Sequence, residues 1–351
     1  MGAPEDAIRS EIAAVVEAVE ILSPDTFRIA DEPPLRVAPA QPLAGLYQPH
    51  PYAPAPLPSA ALVIGLQSVL YARCYSHCLG QAPAAQAAPP DPWLVSRLSQ
   101  ANASRDRWDP GWQVYDLRPD GHVFVLKGDH QRSAMPGEYL AEGIPGQPPL
   151  AGSTVTLRVA RESQHLQPGF YFMFSEVPPD IWDEYFLIRF YFNCTAQGTP
   201  ELVAYITSTL NLYQVPYRMK ALTDASQYTR TDSMVLYCAR RYFQVVARIV
   251  ECLPAAAGRH LASAVPLFTK RLRAGVGLAE DPGNGESFGM NRCRLTAEGL
   301  VDASMQGYRE LASRLRAVEA RFTLNGLKLE QPYLRPGSVD LFEVADAGGA
   351  A

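Results

Sequence analysis

The sequence predicts an α+β fold, in which helices and a small β-rich part come first and a ferredoxin-like antiparallel sheet with helices follows. Three observations lead to this prediction. The chain has 351 residues, of which 47% are apolar, so it can bury a sizeable core. Charged residues make up 19%, a fraction too low for an intrinsically disordered chain. The spacing of apolar residues also changes along the chain, from a helical repeat to the two-residue alternation of strands.

The length favours two domains, and the change of rhythm near residue 162 places their boundary there. The first domain, 1–162, is predicted to contain helices and a small β subdomain. Its predicted elements are an amphipathic helix over residues 4–22, a proline-rich irregular segment over 32–60, an apolar helix over 60–80, an Ala/Pro linker over 82–92, a helix over 92–103, a hairpin over 112–127 and a strand over 154–159.

The second domain, 163–351, alternates strands and helices and is predicted to carry the active site. Its predicted elements are a strand over 183–193, a helix over 199–212, strands over 215–222 and 233–237, a helix over 240–253, a strand over 274–280, and helices over 288–303 and 304–320. The order β-α-β-β-α, completed by a last strand, is that of a ferredoxin-like split βαβ unit.

Composition excludes several classes of function. Lys and Arg number 31 against 36 Asp and Glu, so the net charge of −5 argues against non-specific nucleic-acid binding. The sequence has no run of about 18 apolar residues, so it predicts no membrane span. The N-terminal sequence does not resemble a secretory signal. The six cysteines are scattered through apolar runs, as buried thiols of a cytoplasmic protein are. We therefore expect a soluble cytoplasmic protein without a metal or an organic cofactor.

A glycine-rich stretch, 280–294, is the most unusual part of the sequence. It reads EDPGNGESFGMNRCR, and Ser287 is a good N-cap for a helix that begins after it. A loop that leaves backbone N–H groups at a helix N-terminus can bind an anion. Lys270, Arg292 and Arg294 lie close in sequence, so the stretch predicts a phosphate cradle. A capped helix with ordinary arginine ion pairs is the alternative.

A second cationic stretch lies on a predicted strand. Arg218 and Lys220 share one face of it, and a half-buried lysine among other cations has a lowered pKa, as a general base requires. A surface lysine that extends its amine to water is the alternative. Arg230 and Asp232 form either a buried ion pair or contacts to phosphate and substrate.

Two aromatic segments are further candidates for substrate binding. Arg189 lies within an apolar strand and must find a partner if it is buried, and Tyr191 lies on the same side. Trp108 and Trp112 flank Asp-Pro-Gly, which predicts either a peptide-docking surface or a turn that locks a hairpin. The histidines show no triad setting, and no Gly-x-Ser-x-Gly elbow is present, which argues against hydrolysis by a catalytic triad.

Taken together, these stretches resemble the HopA effector-like family, first named for a bacterial type III effector. The resemblance covers residues 60–315, and its longest block lies in the C-terminal half. The matching residues are LSQAN at 98–102, RWDPGW at 107–112, PGFY at 168–171, RFY at 189–191, Lys220, Arg230 with Asp232, VPLFTK at 265–270, EDPGNGESFG at 280–289 and RCR at 292–294.

The resemblance implies an activity. Family members occur in gene clusters for ribosomal peptides, the class V lanthipeptides and thioamitides. There they act beside an aminoglycoside-phosphotransferase-like kinase in the dehydration of Ser and Thr. By this resemblance the chain is a carbon–oxygen lyase that expels phosphate from a phosphorylated precursor peptide, which also carries a leader. Some members have His at the position of Asn291, so this chain departs from the pattern at a possible proton donor.

The mechanism that the sequence predicts assigns a role to each candidate residue. Lys220 removes the Cα proton. A donor assists, for which Tyr191, Tyr213 and Tyr237 are open alternatives, and Asn291 is a further catalytic candidate. Arg189, Arg230, Lys270, Arg292, Arg294 and Ser287 bind phosphate, and Trp108, Trp112, Asp232 and Tyr191 bind substrate. Two other functions stay open: a non-catalytic subunit that binds the leader peptide and activates the kinase, and a host-directed type III effector.

Overall fold

The computed structural model describes residues 4–37, 58–81, 89–128, 130–143, 147–179 and 181–343. Most of the predicted proline-rich segment and of the Ala/Pro linker lies outside the described residues. The described helices are α1 (Pro4–Ala18), α2 (Pro58–Leu70), α3 (Pro92–Ala101), α4 (Ile181–Tyr185), α5 (Thr199–Leu212), α6 (Phe243–Glu251), α7 (Ala255–Gly258), α8 (Phe288–Met305) and α9 (Leu311–Leu324).

The strands of the described residues belong to three antiparallel sheets, of three, seven and five strands. They are β1 (Val19–Ser23), β2 (Thr26–Ile29), β3 (Leu35–Arg36), β4 (Arg107–Leu117), β5 (Val123–Lys127), β6 (His130–Ala134), β7 (Tyr139–Ala141), β8 (Thr154–Val159), β9 (Glu162–Ser163), β10 (Phe170–Phe174), β11 (Leu187–Phe192), β12 (Arg218–Leu222), β13 (Met234–Ala239), β14 (Lys270–Arg273) and β15 (Val276–Glu280). This mixture of helices and antiparallel sheets confirms the α+β prediction.

The seven-stranded sheet has the order β14-β15-β11-β13-β12-β10-β9. Its four central strands are antiparallel neighbours in the order β15-β11-β13-β12. Because α5 connects β11 to β12 and α6 follows β13, this is the ferredoxin-like arrangement that the sequence predicts. One face of the sheet packs on these helices, where the rings of Phe190 and Phe243 stack 6.2 Å apart.

The five-stranded sheet, of order β6-β5-β4-β8-β7, has a small core of its own. Its buried residues are Trp112, Val114, Val123, Val125, Ala134, Val155 and Leu157. The larger core joins side chains of α1, α2 and α3 to those of the seven-stranded sheet, α5, α6 and α8. The predicted domain boundary at residue 162 stays a prediction.

Two predicted elements end differently in the structure. Residues 19–22 form β1 rather than the end of the first helix, since Val19 pairs with Ile29 across a hairpin. Val15, Val16 and Val19 follow a helical spacing, and for this reason the sequence predicts a longer helix. Residues 183–185 belong to helix α4, not to the strand, which begins at Leu187. Asp183 is buried there and binds Arg241, a tertiary contact that outweighs the β propensity of the segment.

The Trp-Asp-Pro-Gly-Trp segment lies inside strand β4 rather than at a turn between strands. The strand pairs with β8 on both sides of an irregularity between Asp109 and Trp112. Gly111 there has a φ of 84°, which glycine adopts without strain. The Asp109 carboxylate accepts a hydrogen bond from Trp112 Nε1 at 3.0 Å and one from Lys127 Nζ at 2.8 Å. These bonds fix the bulge within the sheet.

The described residues contain neither a membrane-spanning helix nor a cluster of metal-binding side chains. No helix in these ranges is both long and apolar enough to cross a membrane. Within the same ranges, no group of three or more His, Cys, Asp or Glu side chains is placed to hold a metal ion. The six cysteines are all free thiols.

Candidate active site

The floor of the candidate site is the second face of the seven-stranded sheet. The register aligns Lys220, Val235 and Tyr191 across β12, β13 and β11. Side chains that are aligned in this way point to the same face. With strands about 4.8 Å apart, the Cα atoms of Lys220 and Tyr191 lie roughly 10 Å from each other. Valine is small, so a cavity of about 530 Å³ forms between the two longer side chains.

A parallel row of cations and one aromatic ring lies next to this floor. Arg218, Tyr237 and Arg189 are aligned on the same three strands and face the same cavity. The guanidinium of Arg218 lies 5.0 Å from the centre of the Tyr237 ring, and that of Arg189 lies 5.3 Å from it. The ring thus separates two arginines that would otherwise approach each other, and its faces attract both.

One wall of the cavity comes from the end of α2. The helix continues into a π-helical turn, Tyr71–Tyr75, which brings both tyrosines to the cavity. Their rings stack with centres 5.2 Å apart. Thr231 holds the turn in place, because its backbone N–H donates to Ser76 and its hydroxyl donates to the carbonyl of Tyr75. π-helical turns are uncommon and occur frequently at functional sites.

The opposite wall is the N-terminus of α8 and the loop before it. Ser287 is the N-cap, and its hydroxyl accepts from the backbone N–H of Met290 at 3.4 Å. Gly285, Ser287 and Gly289 line the cavity. The first N–H groups of a helix have no acceptor within the helix, and the helix dipole is positive there. This wall therefore favours a bound anion.

Lys220 is partly buried at the edge of the floor. Its Nζ donates to Gln167 Oε1 at 2.8 Å and lies 4.1 Å from the centre of the Phe170 ring. The pKa of Lys220 is lowered to about 8, chiefly by burial and also by the nearby arginines, against the opposing effect of Asp232. At pH 7, roughly a tenth of this amine is neutral, against roughly one in three thousand for an ordinary lysine.

Two arginines at the cavity are held by carboxylates. Arg189 donates from Nε to Asp281 at 3.0 Å and also from Nη2 to the same oxygen. Arg230 binds Asp232 through two bonds of 2.8 Å, from Nε and from Nη2. Within the described ranges, Nη1 of neither arginine donates a hydrogen bond. These groups can therefore accept an anion while the ion pairs stay in place.

Tyr191 carries a buried hydroxyl toward the cavity. The residue is only 3% exposed, and its Oη forms no hydrogen bond of normal geometry among the described residues, although the Tyr75 hydroxyl and the Arg189 guanidinium are near enough to act on its pKa as donors. Burial raises its pKa, so the phenol stays protonated. An unpaired buried hydroxyl costs free energy, which a bound acceptor would recover. The hydroxyl is therefore a hydrogen-bond donor without an acceptor, placed across Val235 from Lys220.

The part of the chain that forms the floor of the cavity is similar to a known protein family. Residues 161–334 match the HopA1 effector protein family. This part of the chain belongs to that family. Two solved structures are also similar, the effector proteins from Pseudomonas syringae pv. tomato strain DC3000 and from pv. syringae strain 61. Each is 13% identical and covers 78% of this chain and 90% of its own, with TM-scores of 0.44 and 0.42. No curated protein matches the chain.

The HopA1 region, residues 161–334, supplies most of the cavity but not all of it. The floor, the Arg230 loop and the N-terminus of α8 lie within the region, whereas Tyr71 and Tyr75 lie before it. Of the residues that the sequence predicted for the site, six line the cavity. They are Lys220, Arg189, Arg230, Asp232, Tyr191 and Ser287.

Two predicted phosphate ligands of the HopA1 region, Lys270 and Arg292, lie outside the cavity. Lys270 forms an ion pair with Asp340 at 2.5 Å. Arg292 is 1% exposed and donates to the carbonyls of Pro332 and Leu334, both at 2.6 Å. Their partners come from the C-terminal segment, which the loop sequence could not reveal. The structure thus places both side chains where they fasten that segment to the core.

Arg294 and Asn291 lie behind the cavity rather than in it. Arg294 binds Glu286 at 3.2 Å and Glu298 at 2.8 Å. Asn291 donates from Nδ2 to Glu286 at 2.9 Å. Glu286 itself lines the cavity, and although burial raises its pKa, the bonds from Arg294 and Asn291 lower it overall. Both residues therefore contact the site only through a carboxylate that they keep ionised.

The remaining predicted residues are distant in the fold. Tyr213 is the exposed C-cap of α5 and does not line the cavity. Trp108 and Trp112 lie in the five-stranded sheet, where Trp112 is buried and Trp108 is exposed. Their predicted roles in catalysis and substrate binding stay predictions.

Several residues at the cavity were not singled out as site residues from the sequence. Tyr71 and Tyr75 are four residues apart in an apolar helix, a spacing that places two side chains on one face and that could have indicated them. Gln167, Phe170 and Asp281 carry no such pattern. Phe170 reaches the site through strand pairing, and Asp281 through its ion pair with Arg189. Gln167 is held there by the hydrogen bond from Lys220.

Proposed function

We propose that the cavity eliminates phosphate from a phosphorylated Ser or Thr of a peptide, leaving a dehydroamino acid. The observation that carries this proposal is the alignment of Lys220 and Tyr191 on one sheet face, with the small Val235 between them. The reaction needs a base at the Cα hydrogen, a donor for the charge that develops on the carbonyl oxygen, and cations for the leaving phosphate.

In the proposed step, the phosphorylated residue of the peptide lies above Val235. The lone pair of neutral Lys220 takes the Cα proton, and the C–H electrons form the Cα–Cβ double bond. The Cβ–O bond breaks and its electron pair leaves with the phosphate. The Tyr191 hydroxyl donates to the substrate carbonyl, and Nη1 of Arg189 and of Arg230, with the N-terminus of α8, receive the phosphate. The proton on Lys220 then returns to solvent.

A separate enzyme would have to phosphorylate the peptide. The family resemblance implies an aminoglycoside-phosphotransferase-like kinase that acts on a precursor peptide with a leader. We propose that this kinase and the leader of the precursor peptide are partners of the chain.

The test is mass spectrometry of a synthetic phosphothreonine peptide incubated with the purified chain. We expect loss of phosphoric acid and formation of dehydrobutyrine with the native chain. The Lys220→Met variant, which keeps most of the side-chain volume, should bind the peptide but leave it intact. Lys328 is exposed and lies outside the cavity, so Lys328→Met is the matched control and should act as the native chain does.

Other outcomes would point to other functions. Threonine in place of dehydrobutyrine would indicate a phosphatase. If the peptide stays intact with the native chain, both alone and with the kinase, the elimination proposal is wrong.

One observation favours a second candidate, a phosphopeptide-binding module without chemistry of its own. The Lys220 amine lies 4.1 Å from the centre of the Phe170 ring, and a ring face stabilises the ammonium rather than the neutral base. A charged lysine among arginines would bind phosphate tightly. Such a module would serve either as a subunit that activates the kinase or as an effector that acts on a host protein. Binding without elimination would support it.

A further inference from the structure

A second cavity adjoins the proposed active site. It has a volume of about 340 Å³ and lies where the five-stranded sheet meets the seven-stranded sheet. Arg218 and Tyr237 line both cavities, so the two adjoin at these side chains. We call the second cavity the arginine groove, and the residues that define it are Arg107, Arg132, Arg158, Phe174, Arg218 and Tyr237.

The positive charge of the arginine groove is only partly compensated. Within the described ranges, Arg132 and Arg218 form no ion pair, and Nε of Arg107 has no hydrogen-bond partner. The nearest carboxylate to Arg107 is that of Asp109, at 3.7 Å, and Asp109 also binds Lys127 at 2.8 Å. Arg158 binds Asp106 at 3.2 Å, where both side chains are about half exposed.

The carboxylates that line the groove do not balance these cations. They are Asp183 and Glu184. Asp183 is buried and bound by Arg241, which does not line the groove. Glu184 is exposed and forms no ion pair with Arg132 or Arg218, so these two arginines lack a counter-charge among the described residues. Like charges held near one another cost free energy, and an anion in the groove would lower that cost.

The rest of the lining is suited to a peptide chain. Phe174, Val177, Pro178 and Leu187 give the groove apolar surface between its arginines. An extended peptide alternates its side chains between two sides, so it can set one against apolar surface and the next against a cation. Arginine binds carboxylates with two parallel hydrogen bonds, which makes it selective for such groups.

We infer that the arginine groove binds an acidic side chain of the same peptide whose phosphorylated residue occupies the active-site cavity. This inference rests on the proposed function, because it takes the occupant of that cavity to be a phosphopeptide. It adds a preference for substrates with Asp or Glu next to the phosphorylated residue. The peptide passes from one cavity to the other over Arg218 and Tyr237.

The experiment measures binding apart from turnover. Fluorescence anisotropy is recorded with the Lys220→Met variant and labelled phosphothreonine peptides, in which one Glu is moved through the positions on either side of the phosphothreonine. Each peptide is compared with its Gln counterpart. At one or two positions, the Glu peptide should bind about tenfold more tightly than the Gln peptide, as a charge-assisted pair predicts.

Arg132→Gln tests the groove itself. In this variant the preference for Glu should disappear, while the affinity for the Gln peptide stays the same. Arg118→Gln is the matched control: Arg118 belongs to the same part of the chain and covers the ring of Phe124, but it does not line the groove. A second variant, Arg132→Glu, should prefer a peptide with Lys at the position of the preferred Glu.

The outcomes separate the two proposals. Equal binding of the Glu and Gln peptides at every position would overturn the groove, and so would an equal loss of preference in Arg118→Gln. A preference for Glu that persists when the native chain eliminates no phosphate would support the groove and count against the lyase. Elimination by the native chain without any preference for acidic peptides would support the lyase and overturn the groove.

Discussion

The surroundings of Lys220 have opposite effects on its charge. Burial and three arginines lower its pKa to about 8, whereas Asp232 raises it. The Phe170 ring lies close to its Nζ and also favours the ammonium. The balance leaves an amine that titrates near neutral pH, whereas an ordinary lysine titrates near 10.5. That range suits a general base, which must be neutral before it can accept a proton.

The pH profile of elimination follows from this balance. Because Lys220 acts when neutral, kcat/KM should rise with pH up to about 8 and then level off. Phosphate release is measured between pH 6.5 and 9.5. The Lys220→Arg variant should be inactive throughout, since arginine stays protonated, but it should still bind the phosphopeptide. A flat profile from pH 6.5 to 9.5 would show that Lys220 is not the base.

The Tyr191 hydroxyl offers a second test at the scale of one residue. In Tyr191→Phe, elimination should fall roughly a hundredfold, the effect of losing one donor to a developing oxyanion. The free energy of unfolding should stay the same or rise by up to about 1 kcal/mol, because the buried hydroxyl that is removed forms no hydrogen bond of normal geometry. Tyr213→Phe, at an exposed position, should change neither quantity. Equal activity of Tyr191→Phe and the native chain would remove the hydroxyl from the mechanism.

Among the elements, α8 and the π-helical turn enclose the cavity by close approach. A Cβ atom on Gly289 would lie 2.4 Å from the Tyr75 ring. The ring cannot yield easily, because it stacks on Tyr71 and meets the edge of Tyr191 at 6.2 Å. Glycine at this position therefore lets the two walls meet, and it also keeps the tyrosines over the floor.

Gly289→Ala should consequently destabilise the fold by about 1–3 kcal/mol, as overpacking of a core does. It should also reduce elimination, since two cavity walls are displaced. Unfolding in urea and phosphate release measure the two effects. Gly258→Ala is the control, because a Cβ there meets only the end of the Arg273 side chain, at 3.8 Å. If Gly289→Ala has native stability and activity, the walls are more adaptable than the packing indicates.

For the whole molecule, distant segments converge on one face of the seven-stranded sheet. Its floor comes from β11, β12 and β13, and its walls from the end of α2 and the start of α8. The C-terminal segment fastens behind α8 through Arg292, and the five-stranded sheet adds the arginine groove at one side. The proposed phosphate recognition thus uses the seven-stranded sheet, whereas the proposed selection of acidic peptides also needs the five-stranded sheet.

The sequence by itself determined the four central strands of the seven-stranded sheet and the residue types of the floor, but not β9, β10 and β14. Periodicity indicated the ferredoxin-like order of β11, α5, β12, β13, α6 and β15, because a strand and a helix repeat at different intervals. Alternation along single strands placed Lys220 with Arg218, and Tyr191 with Arg189. The N-cap at Ser287 was also evident, since it depends on local chemistry alone.

Only the tertiary structure decided which cations meet. Lys270, Arg292 and Arg294 look like phosphate ligands from their closeness to the glycine-rich loop, but their carboxylate and carbonyl partners lie up to 70 residues away. Tyr71 and Tyr75 come from outside the region that the family shares. A charged side chain takes the partner that best offsets its loss of hydration, and the packing of segments far apart in sequence determines which partner is within reach.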